Sequence, residues 1–261
     1  MTRLFLALVF FSGSTLAQTF DHSHQAWDNL LKKHVVLIAG GRASQVRYTG
    51  MAQDRPVLKA YLASLTGVKE GEFASWNKPQ RMAFLINAYN AFTVELILEN
   101  YPVKSIKDIG GVFDDRWKRK FFSLFGRPAS LDQIEHEMLR KPGAYDEPRA
   151  HFALNCASVG CPMLREAAYV AERLEGQLEE QTERFLSDRS RNRYARGRLE
   201  VSKIFDWYKE DFAPRERFFA RYAKLLADDP AAQKLVAEGK ARFSFLDYDW
   251  TLNDFPSSSL R

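Results

Sequence analysis

Apolar residues recur along most of this chain at helical spacing, in segments punctuated by glycine, proline and small polar caps. Residues 24–39 place Trp27, Leu30, Leu31 and Val35 at such intervals, and Gly40-Gly41 ends the segment. Val46–Thr49 predicts a short strand. Pro56–Leu65 predicts a helix with proline in its first turn and Gly67 beyond its end. The next helix is the clearest. Asn77 is its cap, Pro79 sits in its first turn, and Tyr101-Pro102 stops it. Met82 to Leu98 is apolar on nearly every face, which predicts a buried helix. Asn87 and Asn90 interrupt that surface three residues apart, on one face. A buried amide must find partners. The pair either ties the helix to neighbouring backbone or serves a site.

Further on, Phe121–Phe125 predicts a strand and Gly126-Arg127-Pro128 its turn. Ser130 with Gln133 forms a capping-box signature for a helix carrying Glu135, His136 and Arg140. Residues 151–156 read as a short extended run and 172–185 as an amphipathic helix. Residues 193–201 read as a hairpin turning at Arg196-Gly197, and Ser202 caps a helix reaching Asp211. Two helical stretches follow at 214–227 and 230–238, and a final strand at 243–250. With no internal repeat or linker, the pattern predicts one α+β domain, helix-rich with a small sheet.

Composition refines this picture. Hydrophobic residues form 46% of the chain and include twenty Phe, enough for a substantial aromatic core. Met1-Thr2-Arg3, the apolar run Leu4–Phe11 and the small-residue end at Ala17 predict a signal peptide over 1–17 and a globular domain over 18–261. The expected location is periplasmic or secreted, with no stable membrane insertion after signal removal. The net charge of +5 is well mixed in sign, which argues against a nucleic-acid partner. The arginines between 184 and 198 predict a solvated, exposed hairpin.

The chemistry concentrates at His151-Phe152-Ala153-Leu154-Asn155-Cys156-Ala157-Ser158-Val159-Gly160-Cys161-Pro162, which holds both cysteines of the chain. An apolar run ending at a thiol, followed by a turn of small residues, suits a nucleophile. It equally suits a Cys156–Cys161 bridge, since exported thiols tend to pair, or a buried structural cysteine.

Four segments taken together resemble a known family. They are Phe84-Leu85-Ile86-Asn87-Ala88-Tyr89-Asn90-Ala91, Ile134-Glu135-His136-Glu137-Met138-Leu139-Arg140, His151 to Ser158, and Tyr248-Asp249-Trp250. Their order resembles the "domain of unknown function 547" family, strongly over about 75–210. That family includes exported bacterial proteins and plant leucine-zipper proteins of the ternary-complex-factor type. It brings no settled activity. The resemblance implies that Cys156 is the shared thiol, because the plant members match it and lack Cys161. Fusions to glutaredoxin domains among its members hint at thiol chemistry.

A nucleophilic thiol needs a base or a positive environment. The candidates are His136 and His151. In a regular strand over 151–156, His151 faces away from Cys156, which favours His136; a bulge near Asn155 would remove that objection. Asn87 or Asn90 would orient the histidine or donate to an oxyanion. Arg140, His151 and Asp249 are candidate substrate-binding residues. The order of His before Cys resembles circularly permuted papain-like enzymes. No cofactor or metal motif stands out: C-x4-C followed by Pro is not a zinc knuckle, and HExxH, phosphate-loop and G-x-S-x-G patterns are missing. The expected function is an exported cysteine-dependent hydrolase or acyl transferase acting on amide or ester bonds of the cell envelope. The alternative is a periplasmic binding or scaffold domain in which Cys156 is structural.

Overall fold

The computed structural model of the chain describes residues 19–111 and 115–255. The signal-peptide segment 1–17 lies outside them. The first helix, α1 (Gln25–His34), gives way to β1 (Val35–Ile38), which pairs antiparallel with β2 (Ala43–Val46). The helical spacing at 24–39 thus overran a strand. The strand expected at 46–49 lies earlier, ending at Val46, and Tyr48 already begins α2 (Tyr48–Gln53). Val35 and Val46 pair opposite each other, and both are buried.

Helices α3 (Arg55–Gly67) and α4 (Glu70–Ser75) lead to α5 (Lys78–Asn100). The start of α5 carries a full capping box: Asn77 Oδ1 accepts from the Gln80 N–H, and Gln80 Oε1 accepts from the Asn77 N–H. Every residue from Met82 to Leu98 is buried, as the unbroken apolar pattern predicts. A short hairpin follows, β3 (Phe122–Leu124) with β4 (Arg127–Ala129).

Two segments near the cysteines depart from expectation. Gln133–Leu139 forms a π-helix rather than an α-helix, seen in the Arg140 N–H donating to Glu135 O five residues back. Ser130 does accept from the Gln133 N–H, but only half of the capping box forms. Pro148–Phe152 is a 3-10 turn and not a strand. The alternation argument for 151–156 therefore fails, because its premise of a regular extended segment does not hold.

The C-terminal part comprises α6 (Leu174–Ser187), the hairpin β5 (Arg193–Ala195) and β6 (Arg198–Val201), then α7 (Ile204–Trp207), α8 (Arg215–Arg221), α9 (Ala223–Leu226) and α10 (Pro230–Ala237). The strand β7 (Phe243–Phe245) pairs parallel with β6. The arginines of this region are not a free basic patch. Arg184 pairs with Glu166 and Glu180, Arg189 with Asp228, and Arg193 with Glu200, while Arg191 is buried against Asp188 and the Val159 carbonyl.

The result is one α+β domain with small sheets, as expected. Its core falls into two clusters, one built around α5 and one of aromatic residues behind α6 and β6. Residues 152–154 stitch them together: Phe152 packs in the second, Ala153 and Leu154 in the first. Cys156 follows at once, so the thiol sits at the seam. Among the described residues, no helix is long and apolar enough to cross a membrane.

Candidate active site

A cavity of about 160 Å³ opens at this seam, close in size to an engineered cavity that accepts a benzene ring. Cys156, His136 and His151 all line it, together with Tyr89, Glu135, Asp132, Tyr208, Tyr248 and several tryptophans.

The turn that presents Cys156 is held by its neighbours. Asn155 Oδ1 accepts from the Ala157 N–H at 3.0 Å, and Asn155 Nδ2 donates to Pro162 O at 2.7 Å. Ala157, directly after the thiol, adopts a left-handed backbone (φ 60°). For a residue with a Cβ this costs about 1–2 kcal/mol, so the surrounding bonds must hold it there. Gly160 makes the second fixed point. It donates to Asp249 O at 2.8 Å, and a Cβ on it would stand 2.9 Å from the backbone N and O of Asp249. Glycine is needed here for close approach, and the contact brings the tail segment 248–252 across the cysteine turn.

Both cysteines are free thiols, so the bridge is not formed. Cys161 Sγ instead accepts the Cys156 N–H at 2.8 Å. The Ser158 and Tyr248 hydroxyls each lie 3.1 Å from Cys156 Sγ. Burial by itself raises the Cys156 pKa. Hydrogen bonds from the Cys161 thiol, the Ser158 and Tyr248 hydroxyls and the Ser158 backbone outweigh it and hold Cys156 below its usual value. Burial, followed by the neighbouring Cys156, pushes Cys161 well up. The proton therefore stays on Cys161, and Cys156 is the acidic member of the pair.

The two histidines are joined through a carboxylate and a guanidinium. His151, its side chain 4% exposed, lies 2.6 Å through Nε2 from Asp211 Oδ2. Arg140 Nε donates to the same carboxylate at 2.5 Å. Arg140 Nη1 in turn reaches His136 Nδ1 at 2.5 Å. Although burial opposes ionisation, the bonds from His151 and Arg140 hold the Asp211 carboxyl well below the usual range. A guanidinium can only donate, so His136 Nδ1 must accept. That removes the nitrogen a base would use. His151 is in the opposite situation: its Nε2–H goes to Asp211, and the Nδ1 lone pair is left over. Of the two histidines lining the cavity, His151 is the one whose acceptor nitrogen has no hydrogen-bond partner among the described residues, and Arg140 serves Asp211 within the fold.

The asparagines do not reach the cavity. Asn87 pairs its amide with the Tyr169 backbone, donating to its carbonyl at 2.7 Å and accepting its N–H at 3.1 Å. Asn90 donates to Ala153 O and accepts the Asn155 N–H, each at 2.9 Å. Asn90 thereby sets the backbone just before Cys156, as a positioning residue rather than an oxyanion donor. Asp249 is exposed, and its Oδ1 accepts the Thr251 N–H. It lines a different cavity, whereas the adjacent Tyr248 reaches the thiol. Neighbours in an extended segment face opposite sides, so the motif Tyr248-Asp249-Trp250 pointed to the right place one residue off.

Sequence reasoning also passed over Ser158, Tyr208 and Asp211. Ser158 stood inside the quoted cysteine motif. Tyr208 stacks on His151 with ring centroids 4.0 Å apart, and Asp211 ends the same segment. No local pattern marks either one, because their partners lie some sixty residues earlier in the chain. Among the described residues, no three His, Cys, Asp or Glu side chains converge as a metal site requires.

Fold and site together define an α+β domain presenting an acidified thiol in a tyrosine-walled cavity beside a His–Asp pair. Residues 73–186 match the model of the family described as "Protein of unknown function, DUF547", which establishes the resemblance read from the motifs. The match includes Cys156, His136 and His151 and ends within α6, ahead of Tyr208, Asp211 and Tyr248. No curated protein and no solved structure matches the chain.

Proposed function

We propose that this protein is a cysteine-dependent hydrolase or acyl transferase, with Cys156 as nucleophile and His151, oriented by Asp211, as base. The observation that carries the reading is the thiol itself. It is the acidic member of the cysteine pair, it is met by hydroxyl donors, and it lines one cavity with a histidine whose acceptor nitrogen is uncommitted.

In the reaction, Cys156 gives its proton to His151 and its sulfur forms a C–S bond to the substrate carbonyl carbon. The C–N or C–O bond breaks as His151 returns that proton to the leaving amine or alcohol. Water or an acceptor nucleophile, deprotonated by His151, then displaces the thiolate from the thioester. The Ser158 and Tyr248 hydroxyls stabilise sulfur whenever it carries charge. The N-terminal pattern at 1–17 supports export, and with it a periplasmic or secreted location and amide or ester substrates of the envelope.

A second reading rests on one observation: the side-chain partners at Cys156 Sγ are two hydroxyls and the Cys161 thiol, and no histidine nitrogen is bonded to it. A binding domain with an inert thiol fits that arrangement too. Alkylation of the folded protein by iodoacetamide across pH, followed by mass spectrometry, separates the two. Fast labelling of Cys156 below about pH 8 supports the enzyme. A Cys156 that stays unlabelled in the folded, reduced protein, or a Cys156→Ser variant that keeps full activity on a substrate, sinks it.

A further inference from the structure

The walls of the Cys156 cavity carry a charge pattern that the acyl-transfer reading does not use. Asp115, Asp132 and Glu135 line it, and among the described residues no lysine or arginine does. Glu135 is the telling member. It is only 8% exposed and makes no ion pair with a described residue. Around it stand tyrosine hydroxyls: burial and then the Glu135 charge push both Tyr89 and Tyr208 well up, so both remain neutral donors. The nearby guanidinium of Arg140 is engaged by Asp211. A buried carboxylate that lines the cavity, bonded by the neutral Tyr208 hydroxyl and sharing the Arg140 guanidinium with Asp211, favours a further cation from outside.

The remaining wall is aromatic. Trp207, Tyr248 and Trp250 pack with centroids 4.6–5.7 Å apart, Trp117 lines another part, and Trp207 is 45% exposed. Ring faces attract cations. One of these rings already receives a cation from the protein, Lys107 over Trp250 at 5.1 Å, and Arg140 lies over the Tyr208 ring of the same cavity at 4.7 Å; neither cation lines the cavity.

We propose that the cavity selects an acyl substrate bearing an organic ammonium group, seated between Glu135 and the tryptophans Trp117 and Trp207, with its carbonyl at Cys156. This deepens the reading of the same site and rests on it for the acyl part. Anionic substrates are repelled by the three carboxylates, and neutral ones gain nothing from them.

The test is a tryptophan-fluorescence titration of the full chain with benzyltrimethylammonium, benzyl alcohol and benzoate at equal ionic strength. The cation is expected to bind about tenfold more tightly than the alcohol, with benzoate weakest. Glu135→Gln is expected to weaken the cation about tenfold and leave the alcohol unchanged. Trp207→Ala, at an exposed position, is the second variant should Glu135→Gln not fold, and it too is expected to weaken the cation. Equal binding of all three probes, no binding of the cation, or a cation affinity indifferent to both variants overturns the inference. An acidic, reactive Cys156 in a cavity without cation preference leaves acyl transfer standing and removes the substrate class. A cation-selective cavity around an inert Cys156 supports the cation seat and removes acyl transfer.

Discussion

Replacing Tyr248 by Phe removes one hydroxyl from Cys156 Sγ and leaves the aromatic wall in place. The hydroxyl lies 3.1 Å from sulfur and 3.3 Å from Ser158 Oγ, so it belongs to a small network around the thiolate. A hydrogen bond to a charged group contributes about 1.5–3 kcal/mol. Ser158 and Cys161 remain and re-form part of the network, which puts the loss near the lower end, roughly one pKa unit at about 1.4 kcal/mol per unit. At pH values below the midpoint the thiolate fraction then falls about tenfold, while the more basic thiolate attacks about threefold faster. The net rate falls roughly threefold. The assay is the iodoacetamide rate at Cys156 between about pH 5 and 10, with circular dichroism to confirm folding. The expected result is a midpoint displaced upward by about one unit, with a rate at high pH at or above that of the original protein. A midpoint that stays in place or moves down refutes the assignment of Tyr248 as a donor to the thiolate.

Four further outcomes follow from the same geometry. His151→Ala is expected to abolish turnover or thiol activation, whereas His136→Ala lowers it only a few-fold; the reverse ranking in a kcat comparison would restore His136 as the base. Gly160→Ala forces a Cβ against the Asp249 backbone and should destabilise the protein by about 1–3 kcal/mol, with slower Cys156 labelling, both read on the same purified variant. Asn90→Leu leaves the Ala153 carbonyl and Asn155 N–H without partners, a loss of roughly 2–5 kcal/mol that appears as a Tm lower by about 5–15 °C. Because the folded Asp211 pKa is depressed, its stabilisation is fully present above the ordinary value of 3.8 and is lost as pH falls through the folded one. Acid unfolding of Asp211→Asn should accordingly be shallower below about pH 4; an identical acid limb would show that Asp211 carries no such linkage.

Much of the scaffold is legible from local pattern. The buried helix Lys78–Asn100 follows from its capping residues and its apolar run, because both act within a few residues of each other. The placement of Asn87 and Asn90 on one face of it follows as well, as does the concentration of chemistry around Cys156. Short elements were harder. Val35–Ile38 continues a helical spacing yet forms a strand, since pairing with Ala43–Val46 outweighs intrinsic preference over four residues. The segment Pro148–Phe152 turns into a 3-10 helix because Phe152 must enter one core while Ala153 and Leu154 enter the other.

By itself, the sequence determined the helix-rich α+β class, the family resemblance and the thiol on which a site would be built. The tertiary structure decided which side chains reach that thiol. Tyr248 comes from ninety-two positions further along, and Asp211 reaches His151 across sixty. It also decided that Asn90 holds backbone rather than substrate, and that Arg140 blocks one histidine while helping to fix the carboxylate that orients the other. The physical reason is common to all of these. Periodicity and caps record interactions between neighbours in the chain. The acidity of a buried thiol and the free nitrogen of a histidine depend on donors and charges a few ångströms away in space, which only the packed fold brings together.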